Sequence, residues 1–227
     1  MRRTKMVLSA ALVVWLIFVG TLAGCDSLAA MGECGFAAQS VKQNSRDGYV
    51  TFTFEIPEDW IPCETSGYCS VSAFPKNRSE VINLDRDYDV ILGISCYTET
   101  TGDLQHEERM DTIGELFHGN NAPYEEFTKR NSRTMDSEIT ASDFAFGLYK
   151  GRYGKIAAVE YTVTYPEKYG IAPQHVIRCY REDIGYMTTG VFHESDELSS
   201  GDVALWAANT LQVTEHFTIQ DGQIVKK

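Results

Sequence analysis

The residues in this 227-residue chain best suited to hold a metal or attack a substrate are five histidines, His106, His118, His175, His193 and His216, and six cysteines. Zinc sites gather such side chains at short, fixed spacings. No His-Glu-x-x-His, Cys-x-x-Cys or paired-histidine spacing occurs here. His106-Glu107-Glu108-Arg109 reads instead as the solvated face of a helix. Asp85-Arg86-Asp87-Tyr88-Asp89 opens like a calcium loop, which needs glycine at its sixth place and a bidentate glutamate at its twelfth. Val90 and Cys96 stand at those places, so the stretch reads as a polar turn entering a strand. The sequence also lacks a Gly-x-Ser-x-Gly elbow, a phosphate loop and a dinucleotide fingerprint. The expectation is a protein that is not an enzyme, with no catalytic residue, no metal site and no cofactor.

Cys25 has a different chemistry. Residues 1–5 carry three positive charges, Met6–Leu22 is an apolar run of 17 residues, and small residues follow. That is the three-part layout of a secretory signal, although a run of this length is also near the lower limit for spanning a bilayer. Leu22-Ala23-Gly24-Cys25 resembles the bacterial lipobox. The resemblance implies thioether lipidation of Cys25 and cleavage before it. Two acyl chains hold a protein to a membrane where one does not, at about 0.8 kcal/mol per buried methylene. The expected location is therefore the extracytoplasmic face of a bacterial cell membrane, with the membrane as a partner through lipid at Cys25.

Residues 1–24 hold three of the 20 Lys and Arg and none of the 32 Asp and Glu, so without them the formal charge falls from −12 to −15. Such a surface repels phosphate backbones and anionic headgroups, which excludes nucleic acid as a partner. Six cations nevertheless fall in two groups: Lys129, Arg130 and Arg133, and Lys150, Arg152 and Lys155. If the groups meet they form a patch for an anionic ligand or acidic partner; otherwise they are a helix end and a charged hairpin, each solvated.

Outside the cytoplasm, cysteine pairing is the default. Cys63 and Cys69 are disulfide candidates that would close a small loop around Gly67, adding about 2 kcal/mol. Cys96 and Cys179 lie in strand-like runs, where a bridge would add about 4.5 kcal/mol. The other reading of that pair is two buried free thiols, and Cys34 is left over.

The elements around these residues follow from periodicity. Val50, Phe52, Phe54 and Ile56 alternate with Tyr49, Thr51, Thr53 and Glu55, a half-buried strand ended by Pro57. A short strand is expected over 70–74 and a stronger one over 88–97, with Val90, Leu92, Ile94 and Cys96 sharing a face. Met110, Ile113 and Phe117 then share a helical face, with Gly119-Asn120 as a stop, and a second helix is expected over 121–131. Residues 142–193 read as a four-stranded meander with turns at Lys150-Gly151-Arg152 and Glu182-Asp183-Ile184-Gly185. Ser199-Ser200-Gly201-Asp202 opens an apolar helix, and a short strand follows. The order argues α+β: an antiparallel sheet of about six to seven strands flanked by helices. The divisions are a signal peptide at 1–24, a lipidated tether at 25–47, one domain at 48–220 and a tail at 221–227.

Ile56-Pro57-Glu58-Asp59-Trp60, Ala157-Ala158-Val159-Glu160-Tyr161, the hairpin from Arg178-Cys179-Tyr180 to Gly185-Tyr186, and the last helix entering Thr210-Leu211 are similar to the PsbP-like superfamily, including its LpqN-type envelope lipoproteins. The resemblance implies an α/β/α sandwich used mainly for binding other molecules. The function expected is a membrane-anchored, non-catalytic binding or accessory module for an envelope protein or small ligand. The alternatives are a lipid or small-molecule carrier, which needs an apolar cavity, and a hydrolase with a dispersed site.

Overall fold

A computed structural model describes residues 35–45, 48–64, 71–76, 91–96, 104–192, 200–220 and 223–226. Apart from Gly35 and Phe36 these fall in one compact unit, Ala37–Lys227. Cys25, Cys34 and Cys69 lie outside the described residues, as do the apolar run and the failed calcium loop up to Val90.

The strands are β1 (Phe36–Ser45), β2 (Gly48–Pro57), β3 (Trp60–Glu64), β4 (Val71–Pro75), β5 (Ile91–Cys96), β6 (Thr140–Lys150), β7 (Lys155–Thr164), β8 (Gln174–Arg181), β9 (Tyr186–Phe192), β10 (Gln212–Gln220) and β11 (Gln223–Lys226). The helices are α1 (Leu104–Leu116), α2 (Ala122–Met135) and α3 (Ser200–Thr210). Seven strands form one antiparallel sheet in the order β3-β4-β5-β9-β8-β7-β6, and four form another in the order β1-β2-β10-β11. The α+β class and the seven-stranded sheet agree with the sequence reading. The second sheet is new, and two segments read as tether and tail belong to it: β1 lies in the later part of the expected tether, and β11 in the expected tail. Exposure alternates along β1 from Ala37 to Lys42, but the less exposed places hold Ala37, Gln39 and Val41, so no apolar alternation announces the strand.

Alternation splits the seven-stranded sheet into two packed faces. Against one face, Ala157, Val159 and Tyr161 of β7 and Val176 and Tyr180 of β8 meet Ile113 and Leu116 of α1 and Tyr124 of α2. Met110 and Phe117 are packed against the same cluster, so the helical face read from spacing is the one used. Gly119 takes a left-handed φ of 77° and donates to the Leu116 carbonyl at 3.1 Å, ending α1.

On the other face lies α3. Every residue from Val203 to Leu211 is buried, the signature of a helix enclosed on all sides. Ala204, Ala207 and Ala208 let backbones approach closely; α3 contacts β9, β8 and β5 of the large sheet and β2 of the small one. Polar keys fix it: Thr188 Oγ1 donates to the Ala204 carbonyl at 2.6 Å, and Trp206 Nε1 to Glu55 Oε2 at 3.0 Å. Phe52 of β2 meets Tyr186 of β9 edge-on at 5.1 Å between ring centres.

Cys179 is a buried free thiol, and burial pushes it up to about 12. The staple to Cys96 is corrected by topology: β9 lies between β5 and β8, with Cys96 opposite Tyr186 and Cys179 opposite Thr188. Two strand spacings are about 10 Å, beyond the roughly 7 Å between Cα atoms that a disulfide spans.

Candidate functional site

The helix-covered face carries the richest chemistry. The Tyr124 and Tyr180 hydroxyls are 2.9 Å apart beneath α2, and their rings meet edge-on at 6.0 Å. Phe144 stacks on Tyr161 at 5.3 Å, and Phe146 stands edge-on to Tyr124 at 6.4 Å. Aromatic rings thus fill the space between helices and β6–β8. Burial holds Tyr161 up at about 12, and burial first, then Tyr124, raises Tyr180 well above its ordinary value. Both remain neutral phenols at physiological pH.

Beside them, at the middle of β8, stands Arg178. Register places it in a row that crosses five strands: Val159, Arg178, Thr189, Gly93 and Ser72. From Arg178 outward the row holds only hydroxyls and a glycine, all half-buried. A Cβ at Gly93 would meet only the Thr189 carbonyl, at 3.9 Å, so the row is a shallow trough at that point. The rows on either side bring Tyr180, Met187 and Ser95, and Val176, Val191 and Ile91. The Arg178 guanidinium lies 5.9 Å from the Tyr161 ring centre and interacts with the Tyr180 hydroxyl. Its Nε is buried and has no hydrogen-bond partner.

A second concavity lies between the helices, a cleft of about 530 Å³. Glu107, Glu108, Asp111 and Glu115 of α1 and Glu126 of α2 line it, with Arg130 as its one cation. Arg130 bridges to Glu108 and so ties the helices together. A smaller cleft of about 210 Å³ lies among Leu116, Phe146, Leu148 and Ala157. Ligand pockets run from roughly 300 to 1,000 Å³, so this one is below the size a lipid carrier requires.

The structure keeps the two basic groups apart. Lys129 lies 5.4 Å from the Phe144 ring centre near the start of β6, whereas Lys150 ends that strand. Six extended residues separate Phe144 from Lys150, about 20 Å. Most of the six cations have their own carboxylate: Lys129 with Glu125, Arg130 with Glu108, Arg152 with Glu55 at 3.2 Å, and Lys155 with Glu182 at 3.8 Å. Arg133 is exposed in the last turn of α2 and Lys150 is exposed at the end of β6. The solvated reading of these residues fits, and no joint anion patch forms. Arg178 entered the sequence reading only within a hairpin motif. Its trough depends on the pairing of β5 with β9, which no local spacing reveals.

Among the described residues, no group of three or more His, Cys, Asp or Glu could hold a metal, and no helix is long and apolar enough to cross a membrane. No protein-family model matches the chain, and no curated protein does. Among solved structures, the chain is similar to the solution structure of cyanobacterial PsbP (CyanoP) from Synechocystis sp. PCC 6803. The identity is 13% and the TM-score 0.45, over 79% of this chain and 93% of that one.

Proposed function

We propose that the protein is a non-catalytic binding module, held by lipid at Cys25 on the extracytoplasmic face of a bacterial membrane, that docks an envelope protein. The observation that carries this reading is the filled interior. An enclosed helix occupies one side of the seven-stranded sheet and an aromatic cluster the other, so recognition falls to the surface. The same filling disfavours the lipid carrier. The cleft between α1 and α2 is open, and its five carboxylates match a basic partner surface. Lipid anchoring supports this use, because it holds the module against a bilayer where envelope proteins are concentrated.

The test is crosslinking in intact cells followed by purification of the lipidated protein. The reading expects one reproducible partner, lost when Glu107→Gln, Asp111→Asn and Glu126→Gln are combined and weakened by raised salt. A partner captured equally by that triple variant would move the docking face elsewhere. Recovery of no partner by the wild type would overturn the proposal.

A further inference from the structure

β6 ends the seven-stranded sheet, and among the described residues no strand pairs with its outer edge. An edge strand exposes unpaired backbone groups, and proteins ordinarily blunt it with bulges, charges or proline. Here that protection stops early. The register with β7 shifts between Ser142 and Ala145, where Asp143 takes a left-handed φ of 55°. From Ala145 to Lys150 the pairing with β7 is regular, and Ala145-Phe146-Gly147-Leu148-Tyr149 holds neither a charge nor a proline. Leu148 is 53% exposed, one of three large apolar side chains exposed among the described residues. It lines the small cleft with Phe146, Leu116 and Gly119.

We propose that this edge pairs with the β6 edge of a second copy of the chain, antiparallel about a two-fold axis at Gly147, joining two sheets into one. A two-fold interface must be self-complementary, and this segment is. With Gly147 opposite itself, Phe146 of each copy faces Leu148 of the other, and Ala145 faces Tyr149. Phe146 packs against the helix-covered cluster and alternation puts Leu148 on the same face, so each exposed leucine gains an aromatic neighbour at the rim of the small cleft. On the other face, small Ala145 leaves room for Tyr149, whose ring lies over Gly147 so closely that an added Cβ there would come within 2.6 Å of it. The ends match as well. Lys150 of one copy falls opposite Phe144 of the other, one place from Asp143, whereas a parallel alignment would set lysine beside lysine. Lys129, near the Phe144 ring, is already paired with Glu125. Tyr124 near the start of α2 meets Phe146, and Lys129 further on lies by Phe144, so α2 runs away from Gly147 and the helices of the two copies diverge from the axis. This edge is separate from the α1–α2 cleft and stands whether or not that cleft docks a protein.

The test is oxidative crosslinking of the full chain in membranes of cells that express it, read as a product of twice the chain mass that a reductant removes. Gly147→Cys sits on the axis, where opposed Cα atoms of an antiparallel pair lie about 4.5 to 5.5 Å apart, within reach of a disulfide. Ala145→Cys combined with Tyr149→Cys reads the same register while leaving Gly147 in place. Each is expected to give the dimer about tenfold above the wild type, whose own cysteines set the background. Thr140→Cys, before the bulge, is expected to stay at background. Leu148→Glu, added to either cysteine variant, sets a carboxylate against Phe146 of the other copy and lowers the yield about fivefold. Its far-ultraviolet circular dichroism should be unchanged, since that side chain is largely in solvent. Dimer at background in both cysteine variants would overturn the pairing, as would equal yield from Thr140→Cys or indifference to Leu148→Glu. A product of any other mass would mean that the edge takes a different protein, and would overturn it too.

Discussion

At the residue scale, Arg181 shows how this fold uses a buried charge for structure. Its two hydrogen bonds to carbonyls at the C-terminal end of α3 satisfy groups that the helix cannot, at the negative end of the helix dipole. Its fork onto Asp183 fixes the β8–β9 turn beside Gly154, where an added Cβ would come within 2.7 Å of Asp183 Oδ1. Arg181→Met is expected to strand both carbonyls and lower stability by about 3 kcal/mol in denaturant unfolding. Arg181→Lys should recover little of that loss, because an ammonium cannot reach the carboxylate and both carbonyls together. Full recovery by lysine would show that charge, and not the fork, matters here. None of this was legible in the sequence, where Arg181 is one more polar residue near the end of a strand. Arg178 was equally silent, because the phenols around it, Tyr124, Tyr161 and Tyr180, come together only through the packing of α2, β7 and β8.

At the element scale, half-buried β2 was plain in the sequence through its alternation, and the β6–β9 meander through its apolar runs and turns. So were the three helices, through their apolar spacing and stop signals. The short strand β3 holds Pro62 within five residues, and β1 lies at a sheet edge, so neither had a pattern to show. One polar cluster closes the long β7–β8 connection onto the α2–β6 turn. Asp136 accepts from the Glu138 backbone at 3.0 Å and from the Tyr169 hydroxyl at 2.7 Å, and pairs with Lys168 at 2.9 Å. The backbone bond first, then Lys168 and Tyr169, lowers the Asp136 carboxyl from 3.8 to about 2. A carboxyl lowered in the folded state contributes stability that is complete above pH 3.8 and is lost as pH falls toward 2. Carbon-detected NMR of the side chain should give a midpoint near 2, moving back toward 3.8 in Lys168→Ala combined with Tyr169→Phe. A wild-type midpoint of 3.8 would mean that the cluster does not hold the connection.

At the scale of the whole molecule, the chain is acidic, and among the described residues both faces of the seven-stranded sheet are packed. In the proposed reading, attachment to an anionic bilayer depends on lipid at Cys25, since the excess of acidic residues makes the protein surface itself repelled. Replacing that one sulfur should therefore change location without changing the fold. The most direct measurement is the intact mass of the native protein extracted from membranes of its own host. The account predicts a chain beginning at Cys25, heavier than its sequence mass by a lipid modification that Cys25→Ala removes, with the variant recovered away from the membrane. A native protein that retains residues 1–24, or one found unmodified in the cytosol, would contradict it.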